Sequence, residues 1–134
     1  MGFSGIRNVL FDAANSMKKN SEHLHFGVSG FRSEQINLMW EQFSVIVNKK
    51  QAKSRVIVAD VSNESVAMLK KMKKSYFKNF NFRFLKGFDL APIIIIDNKT
   101  YIINWENPSI IVITSKTIAK QFVSFFESLW KISK

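Results

Sequence analysis

The last third of the chain constrains the fold most strongly, because its pattern predicts three short apolar strands in close succession. The strands are predicted over Pro92–Ile96, Thr100–Ile103 and Ser109–Ile113 from runs of β-branched residues. The segments between them are turns, Asp97–Lys99 and Glu106–Pro108, whose Asp and Asn side chains bond their own backbone and tolerate left-handed conformations. The three strands therefore form a meander within one sheet.

An amphipathic helix follows this meander. Ser115 is in position to cap its first turn. Its predicted apolar stripe is centred on Ile118, Phe122, Phe125 and Leu129, and Val123, Phe126 and Trp130 widen it. A stripe this wide requires a large apolar partner, which is either the sheet or a second subunit.

Helices and strands alternate in the first two thirds of the chain. Apolar residues at helical spacing predict helices over Gly5–Lys19, after Ser33, and after Ser62 or Asn63. Strands are predicted through Leu24, Phe26 and Val28, over Arg55–Ala59, and over Phe80–Phe84. The order αβαβαββββα predicts an α/β fold, with a mixed β-sheet flanked by helices on both faces. We expect residues 1–134 to form a single domain of this kind, with no helix-turn-helix.

Composition excludes several classes of protein. A hydrophobic fraction of 46% excludes a disordered chain, and the absence of cysteine excludes disulfides and thiolate metal sites. The longest apolar run, Ile93–Ile96, is too short to span a bilayer. With no secretion signal at the N-terminus, the expected location is the cytoplasm, without membrane contact.

His23 and His25 are the residues with the spacing of metal ligands, since they lie two apart on one strand. No cysteine or acidic cluster completes a site in the sequence. They are therefore interpreted as ordinary histidines on a polar strand face, and neither a metal nor a cofactor is predicted.

Three segments together carry a family resemblance. RVIVA at Arg55–Ala59, FRFLKGFDLAPIIIIDNKTYII and NPSIIVITSKTIAKQFVSFFESLW resemble the phospholipase D-like domain of TrmB-type archaeal transcriptional regulators. The resemblance covers most of the chain and is best from about Phe82 onward. It implies a phospholipase D-like half-domain.

The catalytic residues of that superfamily are replaced here. Its enzymes carry His-x-Lys followed, after four residues, by Asp. Placing Asp97 at the Asp position puts Pro92 at the Lys position and Leu90 at the His position. Neither replacement can donate a proton, attack phosphorus or bind an oxyanion, so the chain is expected not to be an enzyme. Asp97 is then interpreted as a turn residue.

A net charge of +10 favours polyanionic partners. The longest basic stretch contains Lys70, Lys71, Lys73, Lys74 and Lys78, continues to Arg83 and Lys86, and has no acidic residue. On a helix, Lys70, Lys71 and Lys74 share the face opposite Leu69, Met72 and Tyr76, and Lys49, Lys50, Lys53 and Arg55 form a second cluster. These lysines are candidate contacts to an anion or a nucleic acid; a solvated helix face is the alternative.

The resemblance implies a non-catalytic effector-sensing and dimerisation domain of a TrmB-like transcriptional regulator. Its expected partners are a second copy of the chain, a small-molecule effector, and DNA. DNA would be contacted through a separate helix-turn-helix domain or directly through a basic patch. The alternative is a small basic nucleic-acid-binding protein acting through the Lys70–Lys86 region. The sequence leaves open the identity of the effector, the oligomeric state, and whether Met1 is the native start.

Overall fold

The computed structural model describes residues 2–28, 33–75, 79–87 and 91–134, which form four helices and six strands. In chain order these are α1 (Phe3–Asn15), β1 (Glu22–Val28), α2 (Glu34–Lys49), β2 (Lys53–Val58), α3 (Asn63–Ser75), β3 (Phe80–Phe84), β4 (Ile93–Ile96), β5 (Lys99–Asn104), β6 (Ser109–Thr114) and α4 (Lys116–Ile132). The predicted α/β class and the predicted order of elements are confirmed.

One mixed sheet contains all six strands, in the order β3-β2-β1-β4-β5-β6. The strands β1, β2 and β3 are parallel, and the helices α2 and α3 supply the crossovers that parallel neighbours require. The strand β4 runs antiparallel to β1, and the meander β4-β5-β6 is antiparallel throughout. As a result β1 is central, while β3 and β6 are the two edges of the sheet.

The helices α1, α2 and α3 cover one face of this sheet. Their apolar residues recur every three or four positions and therefore meet the strands along one stripe of each helix. The core on this face includes Ile6, Leu10, Met39, Phe43, Val47, Val56, Leu69, Met72, Phe80, Ile94, Tyr101 and Ile103, all buried.

The helix α4 covers the opposite face. The strands contribute Leu24, Phe26, Ile57 and Ile95 to this second core, and the helix contributes Ala119, Phe126 and Leu129. The predicted stripe of α4 is partly wrong: Phe125 is 45% exposed, and the stripe is centred on Ala119, Phe126 and Leu129. The breadth of the apolar face left its centre undetermined in the sequence.

Side-chain caps begin three of the helices. The hydroxyl oxygens of Ser33, Ser62 and Ser115 accept hydrogen bonds from the backbone N–H groups of Ile36, Ser65 and Ile118. These bonds satisfy donors that the first turn of a helix leaves unpaired. The predicted caps Ser33 and Ser115 are confirmed, and Ser62 is the cap where Ser62 or Asn63 was expected.

Arg55 fastens α4 to the sheet. Its Nε and Nη2 atoms each donate to the carboxylate of Glu22 on β1 at 3.1 Å, and Nη1 donates to Glu127 on α4. The guanidinium also lies over the rings of Phe126 and Trp130, at 5.2 and 5.4 Å. One side chain thus links two strands to the outer helix through charge and aromatic contacts.

Candidate functional site

Asp97 lies in the β4–β5 turn, as its interpretation as a turn residue required. It is exposed and has a φ angle of +53°, a left-handed conformation that Asp tolerates better than most residues. Pro92 is buried directly before β4, and Leu90 lies outside the described residues. The loss of catalytic chemistry at Leu90 and Pro92 remains a prediction.

The interpretation of His23 and His25 as polar-face residues was wrong, because both are buried. They point toward α2, where the ring of His25 lies 4.9 Å from that of Trp40. His23 shares a hydrogen bond of 2.7 Å between its Nδ1 and the hydroxyl of Ser54. Burial lowers the pKa of His23 from 6.5 to about 3, so this ring is neutral at physiological pH.

The two histidines line a cavity of about 50 Å³ that is otherwise mainly apolar. It is far smaller than the roughly 300 Å³ or more of an ordinary small-molecule site. Among the described residues, no group of three or more His, Cys, Asp or Glu side chains could hold a metal ion. This cavity has room for ordered water rather than for a metabolite.

A second, larger cavity lies between α1 and the meander. Its volume is about 490 Å³, and its walls include Asp12, Ser16, Asp97, Lys99 and Tyr101. Burial and the nearby Asp97 carboxylate raise the pKa of Tyr101, so the phenol stays protonated and neutral. The size and the mixture of carboxylate, amine and hydroxyl groups suit a small polar molecule.

The predicted lysines of α3 have different roles in the structure. Lys70, Lys71 and Lys74 are exposed while Leu69 and Met72 are buried, so the predicted division of this helix is confirmed for the described residues. Lys71 lies 4.0 Å from Glu41. The Nζ atom of Lys73 donates to the carbonyl oxygen of Phe80 at 2.6 Å, so this side chain links α3 to β3. Lys78 and Tyr76 lie outside the described residues.

Lysines that are far apart in the sequence converge at one edge of the sheet. This edge is the end of the sheet at which β1, β2 and β3 start and β4, which runs antiparallel to β1, ends. It is distinct from the edge strands β3 and β6. The lysines there are hereafter called the basic edge: Lys18, Lys19, Lys49, Lys50, Lys53, Lys74, Lys99 and Lys116. Their segments carry two further carboxylates, Asp12 and Asp97, besides Glu22, which is paired with Arg55.

Backbone hydrogen bonds hold these lysine-bearing segments together. The N–H of Lys53 donates to Ser21 at 2.8 Å, and that of Asn20 donates to Gln51 at 3.3 Å. On the other side of β1, the N–H of Ser115 donates to Asn98 at 3.1 Å. These bonds fix the positions of the backbone segments from which the lysine side chains extend.

The opposite edge, at which β1, β2 and β3 end, carries most of the remaining carboxylates of the described chain. Residues there include Glu34, Asp60, Glu64 and Glu106, together with Lys86, Lys131 and Lys134. The molecule therefore has a positive edge and an edge of mixed charge. A polyanion is attracted to the positive one.

This fold and this charge distribution define a basic, mixed α/β domain. No protein-family model matches the sequence, and no curated protein matches it. Among solved structures, 99% of the chain aligns with TrmBL2, an archaeal chromatin protein whose structure shows a novel mode of DNA binding, with a TM-score of 0.67 and 16% identity. The alignment covers 51% of TrmBL2, so the chain spans about half the length of that protein.

NucT from Helicobacter pylori has a similar fold. It aligns over 97% of the chain and 90% of its own length, with a TM-score of 0.66 and 14% identity. At these identities the likeness to both proteins establishes a shared fold, and function has to be argued from the site. No helix among the described residues is long and apolar enough to cross a membrane.

Proposed function

We propose that this chain is a non-catalytic module of a TrmB-like DNA-associated regulator, which self-associates and contacts the DNA backbone through its basic edge. The observation that carries the proposal is the convergence of eight lysines, from segments that are far apart in the sequence, onto one edge. Lysine ammonium groups spaced along an edge neutralise phosphates without reading bases. The DNA binding of TrmBL2, which shares the fold, supports the proposal.

The basic edge replaces the Lys70–Lys86 region as the proposed contact surface. Lys73 and Arg83 are engaged inside the domain, the latter by donating to the carbonyl oxygen of Trp130 at 2.9 Å. Lys70 and Lys71 extend the positive surface along α3. We propose that residues 1–134 act as one domain in this role.

The test is DNA binding by fluorescence anisotropy, using a generic duplex at several salt concentrations. The triple variant Lys18→Gln/Lys49→Gln/Lys53→Gln should bind about tenfold or more weakly near 0.1 M salt. Loss of three phosphate contacts should also reduce the salt slope by about 2.7.

The matched control is Lys86→Gln/Lys131→Gln/Lys134→Gln, which removes the same charge from the opposite edge. It should retain most of the affinity and the slope. Equal losses in the two variants would reduce the effect to net charge, and no binding at low salt would refute the proposal.

Effector sensing is a second component, favoured by the cavity of about 490 Å³ between α1 and the meander. A polar ligand there would touch Asp97 and also Lys99, which belongs to the basic edge. A thermal-shift screen of polar metabolites should find a stabilising ligand. Ser16→Trp, which places an indole in the cavity, should abolish the shift, whereas Ser124→Trp on the outside of α4 should not.

A further inference from the structure

The two edge strands of the sheet, β3 and β6, differ in their capacity to accept another strand. Directly after β3, the N–H of Leu85 donates to the carbonyl oxygen of Val58 on β2. Backbone groups alternate in direction along a strand, so those of Phe80, Phe82 and Phe84 point away from β2. The carbonyl of Phe80 accepts from Lys73, and that of Phe84 accepts from the N–H of Lys134 at 2.8 Å. Two of the outward carbonyl groups of β3 are therefore already bonded, which leaves its edge partly occupied.

The β6 edge has no such protection. Ser109–Thr114 contains no charged residue and no proline, the usual devices that prevent edge pairing. Ile111 and Val112 point to opposite faces of the sheet and are 59% and 42% exposed. Within the described parts of the chain, no side chain or terminus bonds the outer side of β6.

The charges that flank β6 favour a second copy of the same chain. Two molecules of net charge +10 repel each other unless the surfaces that meet are neutral or complementary. The strand itself is neutral, with Glu106 before its start and Lys116 after its end. In an antiparallel pair, the Lys116 end of each copy meets the Glu106 end of the other, so the attraction occurs twice.

We propose that β6 pairs with β6 of a second copy about a two-fold axis perpendicular to the sheet, near Ile111 and Val112. The axis preserves the faces of the sheet, so the α4 side of one copy continues as the α4 side of the other. The two six-stranded sheets then form one continuous sheet, and the exposed Ile111 side chains of the two copies pack across the junction. This rests on the self-association in the proposed function and names its surface.

Sedimentation equilibrium of the full chain tests the pairing. The wild type should show a monomer–dimer equilibrium, and Ile111→Lys should raise the dimer Kd about 100-fold or more, because it places like charges at the axis. Ile132→Lys makes the same chemical change at a similarly exposed residue on α4 and should leave the Kd unchanged. A strict monomer, or a dimer that Ile111→Lys does not weaken, would overturn the proposal.

Charge reversal tests the antiparallel orientation. Glu106→Lys should weaken the dimer about fivefold, and the double variant Glu106→Lys/Lys116→Glu should restore it. Lys116→Glu alone should also weaken the dimer, although it lowers the net positive charge of each copy. Strengthening by Lys116→Glu would reveal general repulsion in place of the specific pair and would overturn the orientation.

Amide hydrogen exchange keeps the test valid should Ile111→Lys fail to fold. In the wild type, protection of the β6 amides should rise with protein concentration, while that of the β3 amides stays constant. Concentration-independent protection of β6 would count against pairing. DNA affinity per subunit is measured separately: Ile111→Lys should match Ile132→Lys, so loss of the dimer and failure of the DNA proposal give different results.

Discussion

His23 is held in the interior by the position of its strand. The strand β1 lies between β2 and β4 and is covered by helices on both faces. Its Nδ1 bonds Ser54, while its Nε2 has no hydrogen-bond partner among the described residues. The neutral ring is accommodated there, but protonation would place a charge in an apolar site.

The unfolding free energy should therefore depend on pH through His23. The pKa is about 3 in the folded state and about 6.5 when unfolded, so the unfolded chain binds the proton first. The contribution of neutral His23 to the unfolding free energy is therefore retained above about pH 6.5 and is lost as the pH drops toward 3. We expect the unfolding free energy to fall by about 1.5 kcal/mol between pH 6.5 and 5. Urea denaturation at these pH values should show this loss in the wild type and a smaller one in His23→Gln. Identical pH dependence in both proteins would contradict the assignment.

Asp97 allows a separate test of the β4–β5 turn. At its φ of +53°, a β-branched residue is strained and glycine is not. We expect Asp97→Val to lower the unfolding free energy by about 1–2 kcal/mol and Asp97→Gly to change it by less than about 0.5 kcal/mol. Chemical denaturation measures both, and similar losses in the two variants would indicate that the carboxylate has a role beyond the turn.

At the scale of elements, α4 depends on polar as well as apolar contacts. Apart from the bridge of Arg55 to Glu127, Arg83 of β3 lies 4.3 Å from the ring centre of Trp130 and bonds its carbonyl oxygen. Three strands are thereby connected to one helix through two arginines. These contacts add to the apolar packing of Ala119, Phe126 and Leu129 that positions the helix.

Arg55→Met should lower the unfolding free energy by about 1–3 kcal/mol. It removes a guanidinium that is 19% exposed, but the two carboxylates it leaves are partly exposed and regain water. Lys71→Met is the matched control, because its pair with Glu41 is long and its side chain is 63% exposed. It should cost less than about 0.5 kcal/mol in urea denaturation. Equal costs would show that Arg55 contributes no more than a surface ion pair.

At the scale of the whole molecule, the proposed pairing determines where the basic edges lie. A two-fold axis perpendicular to the sheet reverses the strand direction, so the basic edges of the two copies lie on opposite sides of the joint sheet. In such a dimer the two basic edges bind two separate duplexes instead of both binding the same duplex. Bridging of DNA is the expected consequence.

Bridging can be measured by bead capture. A duplex immobilised on beads should retain a second, labelled duplex when wild-type protein is present, and Ile111→Lys should lose this retention. Ile132→Lys adds the same charge and should still capture the second duplex. Capture by Ile111→Lys equal to that by the control would separate bridging from β6 pairing.

Local sequence patterns predicted the elements well. The strand Phe80–Phe84 and the serine caps were predicted as they occur, because alternation and capping involve only neighbouring residues. Four of the eight lysines at the basic edge, Lys49, Lys50, Lys53 and Lys74, belong to the two basic clusters of the sequence, and their role as contacts stays a prediction. Lys18, Lys19, Lys99 and Lys116 lay outside both clusters, and only the strand order brings them beside the others.

The sequence by itself determined the α/β class, the order of elements and the Asp97 turn, since all three depend on short-range periodicity and backbone preference. The tertiary structure decided which faces are buried, and so the state of His23, because a central strand with two covered faces alternates between two cores. It also decided where the lysines meet and which edge stays open. Strand order brings distant segments together, and no local pattern contains that order.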